Sequence, residues 1–163
     1  MDGAGRDRRL MYVFAGCGGF VAVGMIGSCV LLAAMTGGAE GGTRYANNME
    51  RYALRHIQEH RLLEPGESVV AYNDASLSLD GSQSVIVTDR RLVYHFQGAT
   101  SSIALAEIAQ IEHVDEGAIG DVIDVFGSGG EHIHIEIAPW NGGPAFLAAL
   151  ERQRDRAQDL HPP

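Results

Sequence analysis

The chain contains no lysine: all 12 of its basic residues are arginine, set against 21 acids. That absence removes lysine bases and Schiff-base chemistry from its repertoire. Its two cysteines, Cys17 and Cys29, both lie in one long apolar stretch, so the remainder carries neither a disulfide nor a thiolate metal site. Charge is missing altogether from Leu10 to Met35. Also missing are a G-x-S-x-G elbow and a phosphate-binding glycine loop, which argues against a small membrane-tethered hydrolase and predicts a protein with no catalytic residues. Basic residues are scarce in the C-terminal part. Residues 64–163 hold 5 Arg against 16 acids, net −11, whereas residues 1–63 hold 7 Arg against 5 acids, net +2. Nucleic acid is excluded as a partner, because binding there depends on cations neutralising phosphates.

What is present begins with the 26 residues LMYVFAGCGGFVAVGMIGSCVLLAAM, Leu10 to Met35. A helix needs ~20 apolar residues to cross a hydrocarbon core of ~30 Å, so this run predicts a single-pass transmembrane helix and a cell-membrane location. The stretch is too long for the apolar part of a cleaved signal peptide. Ala15 and Gly19, Gly18 and Ala22, and Gly24 and Ser28 are spaced four apart, which lets two helix backbones approach closely in lipid. Glycine and alanine are common in such helices anyway, so the pattern admits a homodimer through this helix without requiring one. Arg6, Arg8 and Arg9 abut the span more closely than Arg44, Arg51 and Arg55. By the positive-inside rule the N-terminus is cytoplasmic and the domain outside.

Thr36 to Thr43, TGGAEGGT, is too glycine-rich to continue the helix and reads as a hinge. Tyr45, Met49, Tyr52, Ala53 and Ile57 then recur at helical spacing, predicting an amphipathic connector helix capped by Thr43 and packed on the domain. From Glu67 the period becomes two, as in half-buried strands. The expected strands are Ser68–Asn73, Ser76–Leu79, Gln83–Thr88, Arg91–Phe96, Ser101–Leu105, Ala109–Val114, Asp121–Phe126 and His132–Ile137. Pro144 suits the first position of a closing helix whose Phe146, Leu147 and Leu150 form an apolar stripe. The divisions are therefore a tail (1–9), a transmembrane helix (10–35), a hinge (36–43), a connector helix (44–61), a β domain (62–151) and a polar tail (152–163).

Ser84 to His95 reads SVIVTDRRLVYH, with a Thr-Asp-Arg-Arg turn followed by the apolar-aromatic Leu92 to Tyr94. With Leu63 to Glu67 and the Ile103 to Ile111 stretch, this resembles bacterial pleckstrin-homology-like (PH-like, GRAM-like) domains over about Leu62 to Leu150. The resemblance implies a mainly β fold: a small barrel or sandwich of about seven antiparallel strands with a C-terminal capping helix. It also implies a non-catalytic protein-interaction or scaffolding module with an unknown protein partner and no cofactor. Headgroup binding, known in eukaryotic relatives, fits poorly, since Arg90 and Arg91 are the only arginines between Glu64 and Leu150.

His132 and His134, on one face of EHIHIE with Ile133, Ile135 and Ile137 on the other, are expected to be a solvated strand face. No metal is predicted there. The competing reading is a metal- or pH-responsive sensor in which His113 joins them as a third ligand. Asp115, Glu116, Asp121 and Asp124 surround a glycine-containing loop but match no calcium-loop spacing. Trp140 is expected to pack as an anchor at the junction of sheet and helix.

Overall fold

The computed structural model describes residues 42–118 and 120–160. The predicted transmembrane helix, both cysteines and most of the hinge lie outside the described residues. Among those described, no helix is long and apolar enough to cross a membrane.

The described residues form eight antiparallel strands in two sheets, one helix near the start and one at the end. In order they are β1 (Arg44–Tyr45), α1 (Arg51–Glu59), β2 (Val69–Asp74), β3 (Gln83–Thr88), β4 (Arg91–Phe96) and β5 (Ala99–Ala104). A turn of 3₁₀ helix (Leu105–Glu107), β6 (Ile108–Asp115), β7 (Asp121–Gly127), β8 (His132–Ile137) and α2 (Gly143–Leu160) complete it. Strands β1 to β5 pair consecutively in one sheet and β6 to β8 in the other. The mainly β expectation holds, and β3, β4 and β8 have the expected bounds.

Alternation places Ala71, Val85, Val87, Leu92 and Ile103 of the first sheet against Ile123, Val125, Ile133, Ile135 and Ile137 of the second, all buried in one core. Phe146, Ala149 and Leu150 of α2 enter the same core, each 0% exposed. The other face of the first sheet is also covered. There Tyr72, Ile86 and Val93 pack with Ala53 and Ile57 of α1 and with Leu62. Burial on both faces explains why β3 is buried at every position but its first.

Four expectations are corrected. Thr43 does not cap a helix beginning at residue 44. Its backbone N–H donates to the Asn141 carbonyl at 2.7 Å, Arg44 and Tyr45 pair with Tyr72 and Ala71, and Asn48 turns the chain by accepting from the Tyr45 N–H at 2.7 Å. The helix starts only at Arg51 and ends in a Schellman motif: Arg61 has φ 51°, and the Leu62 and Arg61 N–H groups return to the Ile57 and Gln58 carbonyls at 3.0 and 3.3 Å. Ser76–Leu79 is not a strand. The Asp74 carboxylate gathers the Ser76 N–H at 2.8 Å, the Ser76 hydroxyl at 2.5 Å and the Gly81 N–H at 2.9 Å, so side-chain bonds hold this loop in place of a sheet partner.

The polar tail is helical through Leu160, because Ala157 packs against the core and the Gln158 amide donates to the Ile108 carbonyl at 2.8 Å. Trp140 is no anchor. It is 87% exposed with φ 65°, and the closing helix is anchored in the core through Phe146 and Leu150 instead.

The Thr-Asp-Arg-Arg turn forms a buried ionic knot. Arg91 donates through Nε and a terminal nitrogen to the two oxygens of Glu67, both at 3.0 Å, and Glu67 is fully enclosed. The Thr88 hydroxyl donates to Glu67 at 2.7 Å and accepts from the N–H groups of Arg90 and Arg91 at 3.0 and 2.9 Å. Burial alone would raise the Glu67 carboxyl; the Arg91 fork, the Glu64 N–H and the Thr88 hydroxyl outweigh it and hold it below the ordinary value. Its stabilising contribution is therefore complete above the unfolded glutamate pKa and is lost as pH falls through the folded one. Arg91→Ala strands a buried carboxylate and should cost about 3 kcal/mol in urea unfolding followed by circular dichroism. The double substitution Arg91→Met with Glu67→Met should recover part of that loss, and equal destabilisation by both variants would contradict the pairing.

Candidate functional site

Histidines mark the places where polar chemistry concentrates, and the sheet register decides which of them meet. On the second sheet, Glu112, Asp124 and His134 lie in one row across β6, β7 and β8, and His113, Ile123 and Ile135 in the next. Ile123 and Ile135 are buried in the core, so His113 projects to the core side, while Asp124, His132 and His134 occupy the outer face. His113 is thereby held at the rim, bonded through Nε2 to Asp121 Oδ1 at 2.7 Å. The three histidines of the competing sensor reading are divided between two faces of a sheet and do not form one ligand set.

The outer face carries its own cluster. Asp124 Oδ1 lies 2.6 Å from His132 Nε2 and 2.9 Å from His134 Nδ1, and His134 Nε2 lies 3.2 Å from Glu136 Oε1. His132 stacks on Phe126 with ring centroids 4.6 Å apart. Ile133, Ile135 and Ile137 are buried as the alternation requires. The carboxylate of Asp124 raises His134 above the ordinary imidazole value, with smaller help from Glu136. Burial alone would raise Asp124, but the two imidazoles overcome it and hold the carboxyl below its usual range.

The four acids around the 115–124 loop do not converge. Asp115 accepts from the Gly117 N–H at 2.8 Å, Asp121 is taken by His113, and Asp124 faces the opposite side. Asp121 is mostly buried and its carboxylate fills the space where a side chain at Gly143 would sit, so the first residue of α2 has to be glycine.

A different trio lies beneath α1. His56 and His60 are one helical turn apart, and His95 comes from the same face of β4 as Val93. Among the described residues, these three are the metal-ligating side chains whose donor atoms converge, all within 4.8 Å of one another. The ring centroids are 4.3 Å apart for His56 and His60, 5.0 Å for His56 and His95, and 4.8 Å for His60 and His95. His95 is 1% exposed and His56 9%, whereas His60 faces solvent.

The ring of His95 is set by its Nδ1, 2.9 Å from the Thr100 hydroxyl of the paired strand. Gly81, with φ 81°, lies flat against His56, and a Cβ there would come within 2.6 Å of the ring. Nε2 of both His56 and His95 is buried without a hydrogen-bond partner. An unsatisfied polar group of this kind costs about 1–3 kcal/mol. Burial pushes both imidazoles below the ordinary value, and the neighbouring rings push further in the same direction.

The chain matches no protein-family model, no curated protein and no solved structure.

Sequence reasoning singled out the visible alternation His132-x-His134 and missed the trio beneath α1. Half of its signal is present as His56-x-x-x-His60, a spacing that puts two imidazoles on one helix face. His95 is 35 residues beyond His60, and nothing local indicates that it joins them.

The Asp124 cluster gives a pH dependence of defined sign. His134, raised in the fold, contributes stability fully below the ordinary imidazole value of about 6.5, and that contribution is lost as pH rises through its folded pKa. Asp124, lowered in the fold, contributes above about 3.9 and loses its contribution as pH falls through its folded pKa. Asp124→Asn should therefore lower the His134 titration midpoint in an NMR titration, and the stability gap to the unsubstituted chain should be widest between those two values. An unmoved His134 midpoint would dismiss the pairing.

Proposed function

We propose that this chain is a single-pass, membrane-anchored, PH-like binding module that works without catalysis and recruits a protein partner at the bacterial membrane. The observation that carries the reading is the arrangement of consecutive antiparallel strands in two sheets about one core, sealed by the C-terminal helix through Phe146, Ala149 and Leu150. The Thr-Asp-Arg-Arg turn supports it as a structural signature, since Arg91 is spent on Glu67 and is not offered to an anionic ligand.

Strand β5 is where a partner would add. It is the last strand of its sheet, and Ala99 to Ser102 are exposed, polar or small, and uncharged. An extended peptide pairing with such an edge gains main-chain hydrogen bonds that need no particular charge on the partner. The hairpin leading into it is held by Gln97 and Gly98, both at positive φ as a two-residue turn of this hand requires.

Two measurements test the proposal. The full chain should stay with the membrane after alkaline carbonate extraction, and removal of residues 10–35 should release it; extraction of the intact chain would end the anchored reading. A photo-crosslinking residue at Ser101 should yield a discrete adduct in native membranes that Ser102→Lys abolishes. Equal labelling from Arg152 on α2 would count against strand addition at β5.

A further inference from the structure

We propose that His56, His60 and His95 form a binding site for a single divalent transition-metal ion of the zinc type, which fastens α1 to strand β4. The chemistry of the donors selects the ligand class. Three neutral imidazoles, with no thiolate among the described residues, suit Zn²⁺, Co²⁺, Ni²⁺ or Cu²⁺ and are poor ligands for Mg²⁺ or Ca²⁺, which take oxygen.

Each ring is placed as a ligand needs to be. His56 on α1 and His60, the residue that caps its C-terminal end, are four apart and bring their imidazoles together on one side of the helix. His95 is oriented by the Thr100 hydroxyl on its Nδ1. With Nδ1–H donating to that oxygen, Nε2 is left as a lone pair, the outer-sphere arrangement in which metal-bound histidines are commonly held. Independently of their proximity, Nε2 of His56 and of His95 is buried without a protein partner. These atoms belong to residues more than nine-tenths buried, and an ion would satisfy both.

The donor atoms lie within 4.8 Å of one another, whereas the edge of a tetrahedral zinc–nitrogen site is about 3.4 Å. The exposed His60 is free to close that gap by side-chain rotation, since the two buried rings already stand in place. Solvent beside His60 gives water access to the fourth position. The nearby carboxylate of Asp74 lends negative charge without being a ligand, because its oxygens are occupied by Ser76 and Gly81.

The consequence concerns α1 itself. At nine residues it is shorter than the ~12–15 that an isolated helix needs to persist in water, and its packing rests on the small cluster of Ala53, Ile57 and Leu62. An ion held by His56 of α1, by His60 at the end of that helix and by His95 of β4 would tie the helix to the sheet.

The test is titration of the full chain, first stripped of metal by a chelator, with Co²⁺ as a visible reporter for Zn²⁺. Absorption bands of tetrahedral cobalt should appear and saturate at one equivalent, and Zn²⁺ should abolish them. His60→Ala removes an exposed side chain, so the fold should survive by circular dichroism while affinity falls about 100-fold or more; His60→Gln serves the same purpose. Thr100→Val should weaken binding by about 10-fold. The double variant His132→Ala with His134→Ala should bind as the unsubstituted chain does. In the unsubstituted chain Zn²⁺ should shift the ring NMR resonances of His56, His60 and His95 and leave those of His132 and His134 in place. The proposal is overturned by absence of saturable binding, by binding that survives His60→Ala, by loss of binding in the His132/His134 variant, or by a thiolate charge-transfer band assigning the ion to Cys17 or Cys29.

Discussion

Strand β3 has hydrophobic core on both sides. Val85 and Val87 face the second sheet and α2, while Ile86 between them faces α1. An antiparallel sheet with one wet face needs only alternate apolar residues, but this one is enclosed twice, and much follows from that. The segment before the first long strand has to fold back over the sheet, so residues 44–61 become a short strand, a turn and a short helix in place of one long helix. Any polar side chain on the covered face has to find a partner or remain unsatisfied. Asp74, Ser84, His95 and Thr100 form the row at that end of the face, and His56 and His60 meet them from above.

The two polar centres of this sheet solve burial differently. At one end Glu67 is fully enclosed yet has every oxygen engaged, by Arg91, Thr88 and the Glu64 N–H, so a buried charge is tolerated. At the other end burial disfavours the charged forms of His56 and His95 instead, and Nε2 of each remains without a partner. The contrast separates a structural knot from a place with unspent coordinating capacity. The surface cluster of His132, His134 and Asp124 is a third solution, in which two partly exposed rings bond one shared carboxylate, whose charge favours the protonated form of His134.

Much of the fold was legible along the chain, because local alternation and turn chemistry are strong where the pattern is simple. Gln83–Thr88, Arg91–Phe96 and His132–Ile137 follow from period two and their flanking turns. Misreadings occur where side chains replace the backbone ladder or where packing extends an element. Ser76–Leu79 alternates like a strand, but Asp74 captures the Ser76 amide at its start and the Gly81 amide beyond its end. The tail after Glu151 reads as polar, yet its Ala157 and Gln158 reach the core and β6. Trp140 carries a large apolar ring yet faces solvent, while Phe146 and Leu150 a few residues on are fully buried in the core.

The amino-acid sequence by itself determined the class of the molecule: an uncharged run long enough for a membrane span, an acidic domain with no thiol, and short alternating strands closed by a helix. Those properties are sums or periods over neighbouring residues, and no tertiary contact is needed to read them. Only the tertiary structure decided which histidines belong together. His113 and His134 are near in sequence but face opposite sides of one sheet, while His60 and His95 are distant in sequence but share a space under 5 Å across. The reason is that side-chain direction in a sheet flips with every residue and partnership across a sheet is set by register, so convergence of ligands is a property of the pairing and not of the spacing.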